Sequence, residues 1–229
     1  NPSGPGRVHL YSGRRAGQGG RGTSNGSAID ANTPSANALW DDLAELKKHD
    51  IVVLSCEGNE NMATKSRAAL QNMLAYANAG GRIFASHYHY VWIDGDSPFP
   101  PTGLYGTGRE ADGDFSVDTS FPKGSAFAEW LVSVGASLRA GVVPLRNVRS
   151  SVSQLVPPTQ QWVHSGNRAQ YISFNTPVGQ PVTEQCGRAV YTGIHVSSED
   201  YDVPNGIFPA VCARTNPQLT PQEKALIFL

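Results

Sequence analysis

The sequence has no surplus of charge of either sign. Its 229 residues include 18 Lys and Arg against 19 Asp and Glu, which gives a formal net charge of −1. A protein that binds nucleic acid through the phosphates needs a clear positive surplus. The charge balance therefore argues against a general nucleic-acid binder, and we expect no nucleic-acid partner.

Long apolar runs and paired cysteines are also missing. A helix that spans a bilayer needs about 20 consecutive apolar residues, and because no run approaches that length we expect no membrane span. The three cysteines, Cys56, Cys186 and Cys212, form no C-x-x-C pair, which argues against zinc held by thiolates. One disulfide with a free thiol and three reduced thiols both remain open.

Charged residues are scarce, whereas Gly and Pro are abundant. Charged residues make up 16% of the chain, which contains 24 Gly and 16 Pro, and this composition is typical of a loop-rich protein. The few lysines, the many Ser, Thr, Asn and Gly residues and a start at Asn1 favour a secreted or cell-surface protein, with a cytoplasmic one as the alternative. The length fits one large domain or two small ones, and we expect a single domain over residues 1–229.

Strand and helix patterns alternate in the first part of the chain. Apolar residues recur at helical spacing over residues 35–48 and 64–79. The wholly apolar run Ile51–Leu54 is typical of a strand covered on both faces. This order implies right-handed crossovers, so we predict an α/β fold with a mostly parallel sheet. The predicted strands are residues 7–11, 51–54, 82–85 and 188–192, with residues 51–54, 82–85 and 189–192 as neighbouring inner strands.

Residues 91–185 are predicted to form a loop-rich insertion. Residues 87–115 are aromatic, acidic and rich in Pro and Gly, and they show no helical period. Long loops on α/β scaffolds often carry function. Within the insertion we predict a helix at residues 124–134 and extended segments at 161–164 and 171–174.

The end of the sequence predicts one more helix. Thr220 and Glu223 have the spacing of a capping box, which marks a helix start. The chain then stops on an apolar Ile-Phe-Leu run. We therefore expect the chain to be a fragment of a longer polypeptide, whose other domains are candidate partners.

Two motif-like patterns are interpreted as loops. Residues 17–22 match G-x-G-x-x-G. A dinucleotide site needs a strand directly before this motif and a helix directly after it, and the sequence has no strand or helix pattern at either position. Aspartates at 94–96 and 112–118 offer oxygen ligands at spacings that calcium sites use, yet they complete no EF-hand and Asp is common in turns. We predict no cofactor and no metal ion.

Ser86 and His195 are the candidate catalytic residues. Each directly follows an apolar strand pattern, and side chains that follow parallel strands converge on one edge of the sheet. In a catalytic triad Ser86 is the nucleophile, His195 the base and Glu199 the acid that orients the base. Cys56 also ends a strand, but acidic neighbours do not stabilise a thiolate, so Cys56 is interpreted as structural.

The same edge of the sheet is predicted to bind a ligand. Aromatic residues after the predicted strand 82–85 would wall a partly apolar pocket with a few polar groups, which suits a small molecule such as a sugar. A zinc ion held by two histidines and Glu57 is the less favoured alternative. The predicted ligand-binding residues are Glu57, Gly58, His87, Tyr88, His89 and Trp92.

The order of these segments resembles the class I glutamine-amidotransferase-like superfamily, and most closely its trehalose-utilisation-type branch. Ser55-Cys56-Glu57-Gly58 looks like the strand end that is Pro-Gly-Gly in that family. Residues 74–87 resemble its helix, Gly-containing turn and nucleophile strand, and residues 193–195 resemble the segment that supplies its histidine. The resemblance implies a flavodoxin-like three-layer sandwich with the site at the strand ends.

The resemblance weakens at the residues that carry the family's chemistry. Ser86 stands where the family has its catalytic Cys, Ser197 where its acidic residue is expected, and only Gly58 remains of the oxyanion-hole glycine pair. We therefore expect a ligand-binding or catalytically degenerate domain, carbohydrate-related as the branch implies, rather than a glutamine amidotransferase. The alternative is a hydrolase that uses Ser86 and His195 on an ester, amide or glycosidic substrate.

Overall fold

The computed structural model describes residues 6–13, 32–55, 57–194 and 219–228. Short 3₁₀ helices lie at Met62–Thr64, His87–Trp92 and Val182–Glu184. The α-helices are α1 (Asn37–Trp40), α2 (Leu43–Leu46), α3 (Arg67–Asn78), α4 (Pro122–Ser133) and α5 (Pro221–Ile227). The strands are β1 (Ile51–Leu54), β2 (Arg82–Ser86), β3 (Leu104–Arg109), β4 (Gly113–Val117), β5 (Val142–Leu145), β6 (Arg149–Ser153), β7 (Gln160–Ser165), β8 (Arg168–Thr176) and β9 (Gly187–Thr192).

Residues 7–11 do not form the predicted strand. Val8 is 76% exposed, so the segment buries little that could offset the entropy lost on ordering it. Next to it, Ser12 makes an isolated parallel bridge with Ser35. The prediction of a first strand here is therefore wrong.

The helix predicted over residues 35–48 is two short helices, α1 and α2. The break lies at Asp42, whose backbone is extended and whose side chain accepts a hydrogen bond from the Ala44 N–H. An aspartate in this role caps the start of a new helix rather than continuing the old one. The helical pattern is confirmed, but its continuity is not.

The β1–α3–β2 segment follows the sequence prediction closely. Ser66 accepts a hydrogen bond from the Ala69 N–H and so caps α3, which begins slightly later than the apolar pattern predicts. β1 and β2 pair in parallel, with Ile51 opposite Arg82, as a helical crossover requires. The buried face of α3 consists of Ala69, Leu70, Met73, Tyr76 and Ala77.

The sheet is mixed, so the predicted flavodoxin-like three-layer sandwich with a mostly parallel sheet is wrong. The strand order is β1-β2-β9-β8-β7-β4-β5, and β6 pairs with both β3 and β8. The β1–β2 pair is parallel. The pairs β3–β6, β4–β5, β4–β7, β6–β8 and β7–β8 are antiparallel. The fold remains α/β.

Short connections explain the antiparallel pairing. Residues 91–185, predicted to be loop-rich, contain β3 to β8 and α4. Only Gly166 and Asn167 separate β7 from β8, and a two-residue link can join only antiparallel strands, because a parallel pair needs a crossover of about a dozen residues or more. Gly166 has a φ of 55°, which such hairpin turns require.

β1 lies at one end of the strand order rather than inside the sheet. Ile51 and Val53 are 52% and 64% exposed, whereas Val52 and Leu54 are buried. The prediction that β1, β2 and β9 are neighbours is confirmed, since they are consecutive in the order. The prediction of β1 as an inner strand covered on both faces is wrong.

The described residues divide into two compact units. Unit 1 draws on Asn1–Thr102, Val156–Pro158 and Phe174–Val190, and unit 2 on Gly103–Leu155, Thr159–Ser173 and Tyr191–Leu229. The residues buried in unit 1 include Trp40, Leu46, Met73, Tyr76 and Trp92. In unit 2 the rings of Trp162 and Tyr171 stack at 5.2 Å, beside Phe127. Across these described ranges no helix combines the length and the apolar character that crossing a membrane demands.

Candidate functional site

The predicted site centres on the segment that follows β2. The strand ends at Ser86, and the 3₁₀ helix begins at once with His87. His87 has a φ of 48°, in the left-handed region that residues other than Gly seldom adopt, so the chain turns sharply there. Most of the helix is buried. The segment is therefore part of the core of unit 1 and not an open loop.

Ser86 is buried and its hydroxyl is already used. The Oγ atom donates a hydrogen bond to the Leu54 carbonyl oxygen at 3.1 Å, and the residue is 3% exposed. A serine nucleophile needs its hydroxyl within reach of a base and of a substrate. The observed contact instead ties the end of β2 to the end of β1.

His89 has both ring nitrogens engaged. The Trp92 indole N–H donates to Nδ1 at 3.1 Å, so Nδ1 carries no proton and Nε2 must donate to the Ser55 carbonyl oxygen, 2.5 Å away. Burial, reinforced by the charge of Lys65, lowers the pKa of His89 to about 3. At neutral pH the ring is a neutral structural link between β1 and the 3₁₀ helix.

A buried ion pair lies beside this histidine. Lys65 Nζ is 2.6 Å from Glu57 Oε2, and the two side chains are 0% and 8% exposed. Lys65 also donates to the Glu60 carbonyl oxygen at 2.8 Å. Such a pair is sensitive to removal of either partner, because the remaining charge is left buried.

Two indole rings complete the surroundings of Lys65. Its Nζ lies 5.5 Å from the ring centroid of Trp40 and 5.9 Å from that of Trp92, both within cation–π range. The two rings are themselves in contact, with centroids 5.0 Å apart. Burial lowers the pKa of Lys65, and the hydrogen bond that Lys65 donates to Glu57 opposes that shift.

One oxygen of Glu57 has no hydrogen-bond partner among the described residues. Glu57 Oε1 is buried in this condition, although buried polar groups are nearly always paired. Gly13 packs against this oxygen so closely that a Cβ at position 13 would overlap it. Near the C-terminal end of β1, one carboxylate oxygen of Glu57 thus accepts no hydrogen bond from the described residues.

A small cleft opens next to the 3₁₀ helix. Its volume is about 150 Å³. The Tyr90 hydroxyl donates to Glu60 Oε1 on one wall. The cleft thus combines three carboxylates and a phenol with apolar side chains. Its lining residues are Glu60, Met62, Leu70, Tyr90, Val91, Asp94 and Asp96.

The ionisable groups of this cleft influence one another. Burial raises the pKa of Tyr90, and the hydrogen bond to Glu60 adds to the effect. Burial also raises the pKa of Asp94, and the nearby charge of Asp96 raises it further. Asp94 stays fixed because its Oδ1 accepts a hydrogen bond from the Asp96 N–H at 3.2 Å.

The structure brings together part of the predicted site. Glu57, His87 and His89 are all buried or nearly so in unit 1, whereas Gly58 is exposed. Trp92 is fully buried and so belongs to the core rather than to a pocket wall. Tyr88 is half-buried. The predicted base His195 and acid Glu199 lie outside the described residues, so the Ser86–His195–Glu199 triad stays a prediction.

Sequence reasoning missed Lys65 and Trp40, and it assigned Asp94 to a turn. Lys65 falls in the first turn of the helix predicted over residues 64–79, where a lysine ordinarily faces solvent. Trp40 was assigned only to a helical pattern. Asp94 is followed by Gly and Asp, which reads as a turn. Of these three residues, only Asp94 has a sequence feature that indicates a site, because it lies two residues after the aromatic run 87–92.

Comparison with known proteins adds little. No family model matches this chain, and no curated protein matches it significantly. Among solved structures, the cytoplasmic protein STM3548 from Salmonella typhimurium is similar with a TM-score of 0.48 and 10% identity, over 86% of this chain and 78% of that one. A likeness at this level supports no argument about fold or function.

Proposed function

We propose that this chain is a catalytically degenerate, ligand-binding relative of the class I amidotransferase-like superfamily. We propose further that its ligand is a small polyhydroxylated molecule such as a sugar. The observation that carries the proposal is the cleft beside the 3₁₀ helix, which combines carboxylates with apolar walls in unit 1.

Ser86 and His89 are both hydrogen-bonded to backbone carbonyl oxygens, which supports a non-catalytic role. Enzymes that place a nucleophile after a strand put it on a sharp, strained turn, so that its side chain stands clear of the sheet. Here the residue with the left-handed backbone is His87, and Ser86 before it is buried and bonded to Leu54. The turn is present, but a histidine occupies the strained position.

The chemistry and the size of the cleft support a small, hydroxyl-bearing ligand. Carboxylates accept strong hydrogen bonds from hydroxyl groups, while Met62 and Leu70 offer apolar contact. Drug-sized ligands occupy pockets of about 300–1,000 Å³, and this cleft is about 150 Å³. A single sugar ring suits that volume, and a dinucleotide or a flavin does not.

Calorimetric titration with a panel of monosaccharides and disaccharides tests the proposal. We expect at least one sugar to bind the wild-type protein. Asp94→Asn keeps the acceptor for the Asp96 N–H but removes the charge, so the affinity should fall about tenfold, the order expected when a hydrogen bond to a charged group is weakened.

Glu129→Gln is the matched control. It removes one carboxylate charge from an exposed position on α4, in unit 2, and should leave the affinity unchanged. Absence of heat with every sugar would reject the carbohydrate ligand. Ester or amide hydrolysis that disappears in Ser86→Ala would instead support the hydrolase alternative and overturn the non-catalytic role.

A further inference from the structure

A second cleft lies at the opposite ends of β1 and β2, where the two strands begin. Its volume is about 500 Å³, within the range of pockets that hold small-molecule ligands. It belongs to unit 1 and shares no residue with the cleft beside the 3₁₀ helix. Its lining residues are Lys47, His49, Asp50, Tyr76, Ala79, Gly80, Gly81 and Arg82.

Two cationic side chains, Lys47 and Arg82, line this second cleft. Lys47 and Arg82 are exposed, and neither forms an ion pair with any carboxylate in the described ranges, in contrast to Lys48, which pairs with Glu45 at 2.5 Å. A guanidinium offers five donors in a fork that matches carboxylate and phosphate oxygens. The two charges are therefore available to an anion.

The C-terminus of α3 repels an anion less than an uncapped helix C-terminus would. Exposed carbonyl oxygens at such an end repel negative charge. Here the N–H groups of Gly80 and Gly81 donate to the carbonyl oxygens of Ala77 and Tyr76, both at 3.0 Å. This glycine turn, made possible by a φ of 107° at Gly80, satisfies the last turn of the helix and leaves the cleft open.

Tyr76 forms a fixed wall of the second cleft. Its hydroxyl donates to the His49 carbonyl oxygen at 3.0 Å, and its ring is buried against Gly81, where any Cβ would overlap it. Asp50 adds one carboxylate to the lining. The site thus offers two cations, one anion and a rigid aromatic wall.

We propose that the second cleft binds a small metabolite with one anionic group and at least one hydroxyl or ammonium group. The phosphate or carboxylate of the ligand pairs with Arg82 and Lys47, and its donor bonds to the Asp50 carboxylate. Sugar phosphates and amino acids share this chemistry. This site is independent of the proposed sugar cleft.

Titration of the purified chain with glucose 1-phosphate, with glutamate and with inorganic phosphate separates the two ligand sources. Chemical-shift changes in the amides of Gly80, Gly81 and Arg82 would locate the binding. Glucose 1-phosphate binding more tightly than inorganic phosphate identifies a sugar phosphate, and glutamate binding more tightly than both identifies an amino acid.

Arg82→Gln should weaken the binding of the preferred probe about tenfold or more, because a hydrogen bond to a charged group is lost. Arg67→Gln removes another exposed arginine, at the start of α3 and away from the cleft, and should leave binding unchanged. The proposal is overturned if no probe binds at millimolar concentration, or if both variants weaken binding equally.

Discussion

The two ends of the parallel pair β1–β2 differ sharply in how their polar groups are used. At the C-terminal end, Ser86, His89 and Lys65 are buried and bonded to neighbouring backbone or side chains. At the N-terminal end, Lys47 and Arg82 are exposed and line an open cleft. Open α/β sheets bind ligands beyond the C-terminal ends of their strands, yet here the cleft at the N-terminal end, about 500 Å³, is larger than the cleft of about 150 Å³ beside the 3₁₀ helix after β2.

The difference teaches that a polar residue at a strand end indicates a ligand-binding site only if its side chain is not already hydrogen-bonded within the protein. Ser86 and His89 have the residue types of an active site, yet Ser86 links the end of β2 to β1 and His89 links the 3₁₀ helix to β1. At the same end, one oxygen of the Glu57 carboxylate has no hydrogen-bond partner among the described residues.

The largest effect should come from Lys65, which is 0% exposed and paired with Glu57. Lys65→Met leaves the Glu57 carboxylate buried without its counter-charge, so we expect a loss of about 3–5 kcal/mol in the free energy of unfolding. Urea denaturation measures it. The double variant Glu57→Gln/Lys65→Met removes both charges and should recover much of the loss. A single-variant loss equal to that of a surface substitution would show that the C-terminal end is not tightly packed.

The next effect concerns pH and His89. Its pKa in the folded protein is about 3, below the ordinary value of about 6.5. Between these two pH values the ring is therefore protonated in the unfolded chain and neutral in the folded protein. Stability is therefore full above about pH 6.5 and falls as the pH drops towards 3, by up to about 1.4 kcal/mol per pH unit.

The slope of unfolding free energy against pH, compared between the wild type and His89→Gln, checks this expectation. The variant should lose that component of the slope between pH values of about 6.5 and 3. His164→Gln, on β7 in unit 2, is the control and should keep it. Parallel curves for wild type and His89→Gln would contradict a neutral, buried ring.

Gly81→Ala probes the other end. The added methyl group would overlap the Tyr76 ring, and overpacking of this kind costs about 1–3 kcal/mol. Thermal unfolding should show a lower midpoint than for Gly95→Ala, since a Cβ at position 95 meets nothing within 4 Å. Equal midpoints would mean that the Tyr76 ring shifts to accommodate the methyl group at little cost in stability.

Ser86→Ala should have the smallest effect. Loss of the hydrogen bond to the Leu54 carbonyl oxygen is expected to lower the unfolding free energy by about 1 kcal/mol. Ser133→Ala is the comparison, because its hydroxyl also donates to a carbonyl, that of Trp130, but at an exposed position. If Ser133→Ala were the more destabilising of the two, Ser86 would not be the structural link described above.

The sequence predicts best where local signals and tertiary structure agree. The β1–α3–β2 segment has apolar runs, a capping serine and a glycine stop, and all of these act over a few residues. The final helix follows the same rule: the capping box of Thr220 and Glu223 is formed as its spacing predicts.

Prediction fails where a feature depends on distant partners. The mixed sheet arises from hairpins such as β7–β8, whose Gly166-Asn167 turn is a hairpin signal that the parallel interpretation passed over. The Lys65–Glu57 pair and its indole neighbours leave no local pattern, because Trp40, Glu57 and Trp92 meet Lys65 only in the folded protein. Burial of Ser86 and His89 is likewise decided by what packs around them.

The position of β9 has a consequence for how the chain reaches its native state. β9 lies between β2 and β8 in the strand order, yet it comes after all the other strands of the described residues. The β7–β8 hairpin can form from local contacts, whereas β2 must wait for a segment about a hundred residues away, and pairings of such long range form slowly. During synthesis the β1–β2 pair is therefore left with an open edge until residues 187–192 emerge, and this interval is when the chain is most exposed to misassociation.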